Sequence, residues 1–321
     1  MRDPKRINKF CAKLAEMWSI VPDWRFGQFI TNVLDGFMKD IFVTEDDELL
    51  DFIERKFKSM TTPTSPLKLY EDYMAKFNAA KATEDVVQWI RDWFEKNGNS
   101  CDAVVGISGG KDSSVVAALC VQALGADRVV GILMPNQTQS DINDSYEICK
   151  HLGIRHFVQN INPAYSHITS VVKDQLGIVT DQTMINLAPR LRMATLYAYS
   201  QSLNGRVANT CNLSEDYIGY STRYGDTAGD FAPLKNFTSD EVMAIGDYLE
   251  LPRHLVHKIP SDGLCGKTDE DNLGFTYKSL NSFIRVGIPE STTDMIKISK
   301  LHKQNAFKEC LIDRFKYNPV I

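Results

Sequence analysis

The chemistry of this chain concentrates where Val104-Val105-Gly106-Ile107 runs into Ser108-Gly109-Gly110-Lys111-Asp112-Ser113. An apolar strand that passes through two glycines into a helix is an anion cradle. The glycines let the backbone turn its N–H groups inward, and the helix N-terminus adds the positive end of its dipole. Ser108, Ser113 and Ser114 supply hydroxyl donors and Lys111 a positive charge. Asp112 would repel phosphate unless a cation sat between them, which points to Mg²⁺. Two familiar phosphate loops are excluded by spacing. A Walker A loop needs glycine where Val105 stands and Ser or Thr where Asp112 stands, and the dinucleotide G-x-G-x-x-G pattern fails after Gly106.

Other polar groups gather in later blocks. Val207-Ala208-Asn209-Thr210-Cys211-Asn212-Leu213-Ser214-Glu215 ends a strand and opens a helix, placing Thr210 and Glu215 at the edge of a sheet. Pro189-Arg190-Leu191-Arg192 carries two cations. A glycine-rich run holds Arg223 and Asp230, and Thr238 with Glu241 forms a capping box for the helix that follows. Then come Lys258-Ile259-Pro260-Ser261 and the acidic Asp269-Glu270-Asp271. Cys211 has no histidine near it in sequence and reads as a packed thiol. His254 and His257 make only two ligands, too few for zinc, and read as a solvated helix face. The acidic triplet reads as a charged loop.

These groups need a scaffold. Residues 103–107, 128–133, 154–158 and 206–209 read as strands, and 81–96, 113–124, 141–152 and 184–203 as helices. The alternation predicts an α/β fold, a doubly wound parallel sheet with helices on both faces, and ligands beyond the carboxyl ends of its strands. Upstream, residues 5–60 read as helices. Ile7, Phe10, Cys11, Leu14 and Trp18 recur at helical spacing, as do Phe29, Ile30, Val33 and Leu34, then Leu49, Leu50, Ile53 and Phe57. Met60-Thr61-Thr62-Pro63-Thr64-Ser65-Pro66 is the best linker. Residues 1–66 are therefore expected to form a small helical unit and 67–321 the catalytic domain. The apolar stripes of that unit, with Trp18, Trp24 and Phe29, are expected to pack on the larger domain or a dimer mate.

Composition narrows the class. With 36 basic against 41 acidic side chains, the net charge of −5 gives no general nucleic-acid surface. No apolar run is long enough to span a bilayer. The charged N-terminus argues against a secretory signal. The seven scattered cysteines suit neither a disulfide framework nor a zinc ribbon, which points to reducing cytoplasm.

The Ser108–Ser114 stretch resembles the pyrophosphate-releasing loop of the N-type ATP pyrophosphatases, enzymes that adenylate a substrate and let an amine, ammonia or sulfur nucleophile displace AMP. With the later blocks in order, the chain from about residue 80 to 305 closely resembles the NAD synthetase family. That resemblance implies a Rossmann-like homodimer that converts nicotinic acid adenine dinucleotide (deamido-NAD) to NAD with ATP, Mg²⁺ and a nitrogen source. It assigns the ATP phosphates to Gly106, Ile107, Ser108, Gly109, Gly110, Lys111, Asp112 and Ser113. Further ATP contacts fall to Thr210, Ser239 and Ser261, and Mg²⁺ to Asp112 and Glu215. Arg190, Arg223, Asp230, His302 and Lys303 would contact the dinucleotide. No covalent nucleophile is implied. Arg223 and Ser261 stand where many members carry lysine and threonine, and Pro189 replaces a usual alanine. Ser239 occupies a frequent lysine position, for which Lys235 is an alternative. Residues 1–66 are too few for a glutamine-hydrolysing domain, so free ammonia is the expected nitrogen source. A tRNA-modifying ligase of the same superfamily and an inactive nucleotide-binding homologue remain the alternatives.

Overall fold

A computed structural model of the chain describes residues 5–21, 25–37, 44–61, 66–137, 141–258, 268–308 and 310. It divides into two units, Met1–Ala75 with Ser282–Met295, and Lys76–Asn281 with Ile296–Ile321. The first unit holds α1 (Lys5–Ile20), α2 (Phe26–Leu34), α3 (Asp46–Thr61) and α4 (Pro66–Met74). The three apolar stripes seen in the sequence meet one another here. Met17, Phe29, Val33, Leu50, Ile53 and Phe57 are buried together, and Trp18 packs beside Phe29 and the half-exposed Phe26. Each aromatic or aliphatic side chain fully buried this way contributes about 1.5–3 kcal/mol. The stripes thus find much of their burial inside their own unit. Trp24 lies outside the described residues, as do residues 62–65 of the expected linker.

The second unit is built on four parallel strands, β1 (Asp102–Gly106), β2 (Val129–Leu133), β3 (Arg155–Val158) and β4 (Gly205–Ala208), in the order β3-β2-β1-β4. Val104 pairs with Val130 on one side and Val207 on the other. A further parallel bridge from Ala208 to Phe231 extends the sheet past β4. The helices around it are α5 (Ala79–Asn97), α6 (Lys111–Leu124), α7 (Ile142–His151), α8 (Asn162–Leu176), α9 (Asp181–Ser202), α10 (Leu213–Ile218), α11 (Ser239–Tyr248), α12 (Arg253–Val256) and α13 (Asp269–Leu273). They are followed by α14 (Tyr277–Val286) and α15 (Thr292–Asn305). One face of the sheet packs on α5, α6 and α11 through Ile90, Phe94, Leu119, Val242 and Ile245, and the other on α9 through Val104, Val130, Ile132 and Leu196. Helices on both faces of a parallel sheet are the expected doubly wound arrangement.

Helix α8 went unread in the sequence. None of its residues is buried, so it carries no core stripe. Its signals are Pro163 in the first turn and Gly177 at φ +75 closing the helix.

Candidate active site

The carboxyl ends of β1 and β4 lie side by side, and the polar blocks converge there. After β1 the chain turns at Gly109, whose φ is +79. A Cβ added there would sit 2.7 Å from Asp144 Cβ on α7, so the loop needs glycine both for conformation and for space. Ser113 Oγ accepts from Ser108 N at 3.3 Å and lies 3.1 Å from Ser108 Oγ, while Gly110 N donates to Ser108 Oγ at 3.3 Å. Ser114 Oγ donates to the Gly110 carbonyl at 2.8 Å. The loop is thus closed on itself by its own hydroxyls, with α6 beginning at Lys111 directly behind it.

Lys111 is buried and its Nζ donates to Asp112 Oδ2 at 2.8 Å. Burial lowers the ammonium's pKa, but the carboxylates of Asp112, Glu215 and Asp269 more than offset this and hold it above its ordinary value. Asp112 Oδ1 accepts from Asn212 Nδ2 at 2.9 Å. Asn212 in turn caps α10: its Oδ1 accepts from Ser214 N at 3.0 Å and Glu215 N at 3.2 Å, and its own N donates to Glu215 Oε2 at 3.2 Å. Burial first, and the Asp112 carboxylate second, push the Glu215 carboxyl up to about 8, against the pull of Lys111. Two carboxylates whose charges oppose each other in a buried setting form an oxygen donor set short of positive charge. Mg²⁺ bound together with substrate phosphates takes one or two such carboxylates, so the residues fit it. No group of three or more His, Cys, Asp or Glu suited to a metal occurs among the described residues.

A second polar layer backs this pair. Asp269 is buried and accepts from Tyr220 OH at 3.3 Å and Tyr277 OH at 3.5 Å. Burial pushes the Tyr277 phenol up, and Glu215 and Asp269 push the same way, so it stays a donor. The acidic triplet, read from sequence as a loop, therefore sends its first member inward. Ser239, at the start of α11, is buried. Its N donates to Ser214 Oγ at 3.0 Å and its Oγ accepts from Asn281 Nδ2 at 2.9 Å. Ser214 Oγ completes the triad on Asn281 Oδ1.

The remaining expected residues make contacts of their own. Thr210 is half-buried just past β4. Arg190 is exposed on α9, with Nε 3.4 Å from the Arg223 carbonyl, and the Arg223 guanidinium lies over the Tyr224 and Phe307 rings. His302 stacks on Tyr217 at 4.1 Å between centroids and its Nδ1 lies 2.7 Å from the Tyr217 carbonyl; Lys303 beside it is exposed. Asp230 is tied to the sheet: Val207 N donates to its Oδ2 at 2.7 Å and Tyr197 OH to its Oδ1 at 3.3 Å. Ser261 and Cys265 lie outside the described residues. Cys211 is buried with its thiol 3.3 Å from the Asp226 carbonyl. Burial, aided by Glu215 and Asp226, holds it well above the ordinary thiol range, which suits packing and not nucleophilic attack. His254 and His257 each face a different carboxylate, Glu147 and Asp247, and form no joint site. Asn212 and Tyr277 were not foreseen as site residues. The signal for Asn212 was present as an Asn followed three residues later by Glu215, a helix-start pattern.

Residues 82–318 match the profile of the family described as NAD synthase. An NH3-dependent NAD⁺ synthetase of Pyrococcus furiosus is 38% identical over 213 residues, covering 66% of this chain and 79% of that one. Among solved structures, the NMN synthetase of Francisella tularensis aligns with a TM-score of 0.69 and 33% identity over 75% of this chain and 100% of that one. The NH3-dependent NAD synthetase of Campylobacter jejuni, solved with nitrate ion, aligns at 0.61 and 29% over 75% of this chain and 100% of that one.

Proposed function

The chain belongs to the NAD synthase family, and from that premise we propose that it amidates deamido-NAD to NAD with ammonia, consuming ATP and releasing AMP and pyrophosphate. The observation that carries this reading is the array Lys111–Asp112–Asn212–Glu215, hydrogen-bonded across the ends of β1 and β4 beside the glycine loop.

The reaction joins anions before it joins nitrogen. An oxygen of the nicotinate carboxylate attacks the α-phosphorus of ATP, the bond to the bridging oxygen breaks, and pyrophosphate leaves with that electron pair. Ammonia then adds to the carbonyl carbon of the mixed anhydride, AMP departs, and the nitrogen sheds a proton to give the amide. No side chain forms a covalent bond, so positioning and charge neutralisation supply the rate. The loop from Gly106 to Ser113 cradles the phosphates with N–H groups and hydroxyls, and Lys111 offsets the charge of Asp112. Asp112 and Glu215 hold Mg²⁺, which when bound screens the phosphate charge from the incoming carboxylate. Thr210, Ser239 and Ser261 are assigned to ATP; the Ser239 hydroxyl is engaged by Asn281, and Lys235, the alternative cation, pairs with Asp216 at 3.4 Å. Arg190, Arg223, Asp230, His302 and Lys303 hold the dinucleotide.

We place the enzyme in the cytoplasm and assign it a homodimeric state. The six described cysteines are all free thiols, as a reducing compartment keeps them. Support for the dimer comes from β3, α8 and α9, elements joined by the Phe157–Tyr199 ring contact and the Tyr165–Met184 hydrogen bond, on which Phe157, Val158, Ile168, Val171, Leu176, Met184 and Ile185 are each exposed. Such a patch marks an interaction surface, and a second copy is the occupant we assign. A second acceptor, nicotinate mononucleotide, has one observation in its favour: the Francisella tularensis structure is that of an NMN synthetase. Release of AMP and pyrophosphate, measured with each acceptor and with ammonium or glutamine, tests both readings. The dinucleotide with ammonium is expected to give the highest kcat/KM. Exclusive use of the mononucleotide would move the assignment to that acceptor, and efficient use of glutamine would overturn the ammonia reading.

A further inference from the structure

We propose that Asn212 is a positioning residue for cation binding, setting the spacing and orientation of the Asp112 and Glu215 carboxylates. It rests on the reading of those two residues as the Mg²⁺ ligands. Asn212 is fully buried and touches both carboxylates by different means. Its side-chain Nδ2 holds Asp112 Oδ1 at 2.9 Å, across a gap of 100 residues in sequence, and its backbone N holds Glu215 Oε2 at 3.2 Å. Its Oδ1 meanwhile fixes the first turn of α10, which carries Glu215, through Ser214 N and Glu215 N.

Helix capping alone does not call for asparagine here. Asp and Ser cap about equally well, since each offers an acceptor to the same N–H groups. Only asparagine offers that acceptor together with an N–H donor for Asp112. Aspartate would add a third carboxylate beside a pair that already repels, and serine lacks the reach to span both partners. With Lys111 on Asp112 Oδ2 and Asn212 on Oδ1, the Asp112 carboxylate is held at both oxygens and cannot rotate. Partners behind a metal ligand typically change metal affinity or activity about 10–100-fold when lost.

The test uses the full chain with Mn²⁺ as the probe, titrated by electron paramagnetic resonance in the presence of α,β-methylene-ATP, alongside thermal melting. Asn212→Ser keeps a cap and should melt near wild type, whereas Asn212→Asp keeps a cap but adds a buried carboxylate beside two others and should melt lower. Asn212→Ser is expected to weaken Mn²⁺ binding about tenfold or more, and its Mg²⁺ dependence of turnover should shift to higher concentration by a similar factor. Asn212→Asp should also raise the Mg²⁺ needed for half-maximal turnover, because its donor is gone. If Asn212→Ser binds Mn²⁺ like wild type, whatever its melting temperature, Asn212 does not position the carboxylates and the proposal fails. If wild type binds no Mn²⁺, or Asp112→Ala binds it unchanged, the reading of the two ligands fails, and the proposal with it.

Discussion

Two regions of the larger unit invert the usual rule of burial. At the ends of β1 and β4, polar and charged side chains are inside: Lys111, Ser113, Asn209, Asn212, Ser214 and Asp269 are all buried. On the β3 flank, apolar side chains are outside, with Leu176 at 72% exposure and Ile178 at 64%. The first region resolves the cost of burial internally, by hydrogen bonds and opposed charges. The second has no such resolution among the described residues. The difference teaches that buried polarity here is held together by partners inside the chain, as the proposed charged-ligand site requires, while the exposed apolar side chains are what the proposed dimer would cover.

The largest effect should follow from breaking the polar side of that contrast. Asp112→Ala removes a carboxylate and strands Lys111, and turnover should fall about a thousandfold or more while circular dichroism stays that of wild type. Asp112→Glu should be nearly as poor, since octahedral Mg²⁺ tolerates little displacement. The apolar side breaks next. Ile168→Glu with Ile185→Glu puts two charges among the exposed apolar side chains, and sedimentation should show the proposed dimer dissociating about a hundredfold more readily, at roughly 1.5–3 kcal/mol per buried side chain. An unchanged sedimentation profile would separate the patch from assembly.

A smaller effect sharpens the electrostatics. The Glu215 carboxyl is raised from its ordinary value to about 8, so the folded state holds this proton more tightly than the unfolded chain. Its contribution to stability is complete below the ordinary carboxyl range and is lost as pH rises through about 8. Mg²⁺ should therefore raise the melting temperature more at pH 8.5 than at pH 6, by a few degrees at about 2–4 °C per kcal/mol. Equal shifts at both pH values would mean that Glu215 does not feel the cation. Smallest of all, Cys211→Ala should leave turnover near wild type and cost about 1 kcal/mol of stability, measured by urea denaturation.

The contrast also explains what the sequence made legible. Strands β1 and β2 announce themselves because Ala103, Val104, Val105 and Val129 to Leu133 are continuous apolar runs, the mark of strands covered on both faces. The phosphate loop was legible because it is contiguous: cradle, hydroxyls and charge sit within a few residues. Asn212 is not legible as a site residue, because its key contact is to a residue 100 positions away and no local pattern encodes it. Asp269 looked like one more loop acid; what draws it inward is the pair of phenols at Tyr220 and Tyr277, which come from other segments. Helix α8 hid for the opposite reason. Of its apolar side chains Tyr165 packs against the core and Val172 is half-buried, while Ile168, Val171 and Leu176 are exposed, so its inward side is too weakly apolar to read as a core stripe.

The central claim is adenylation of a nicotinate carboxylate followed by displacement with ammonia. Deamido-NAD labelled with ¹⁸O in both carboxylate oxygens, incubated with the full chain, ATP, Mg²⁺ and ammonium, tests it most directly. Adenylation predicts that each NAD formed is matched by one AMP and one pyrophosphate, and that each AMP carries one ¹⁸O in its phosphate. NAD formed with unlabelled AMP, or with ADP and phosphate as products, would contradict it.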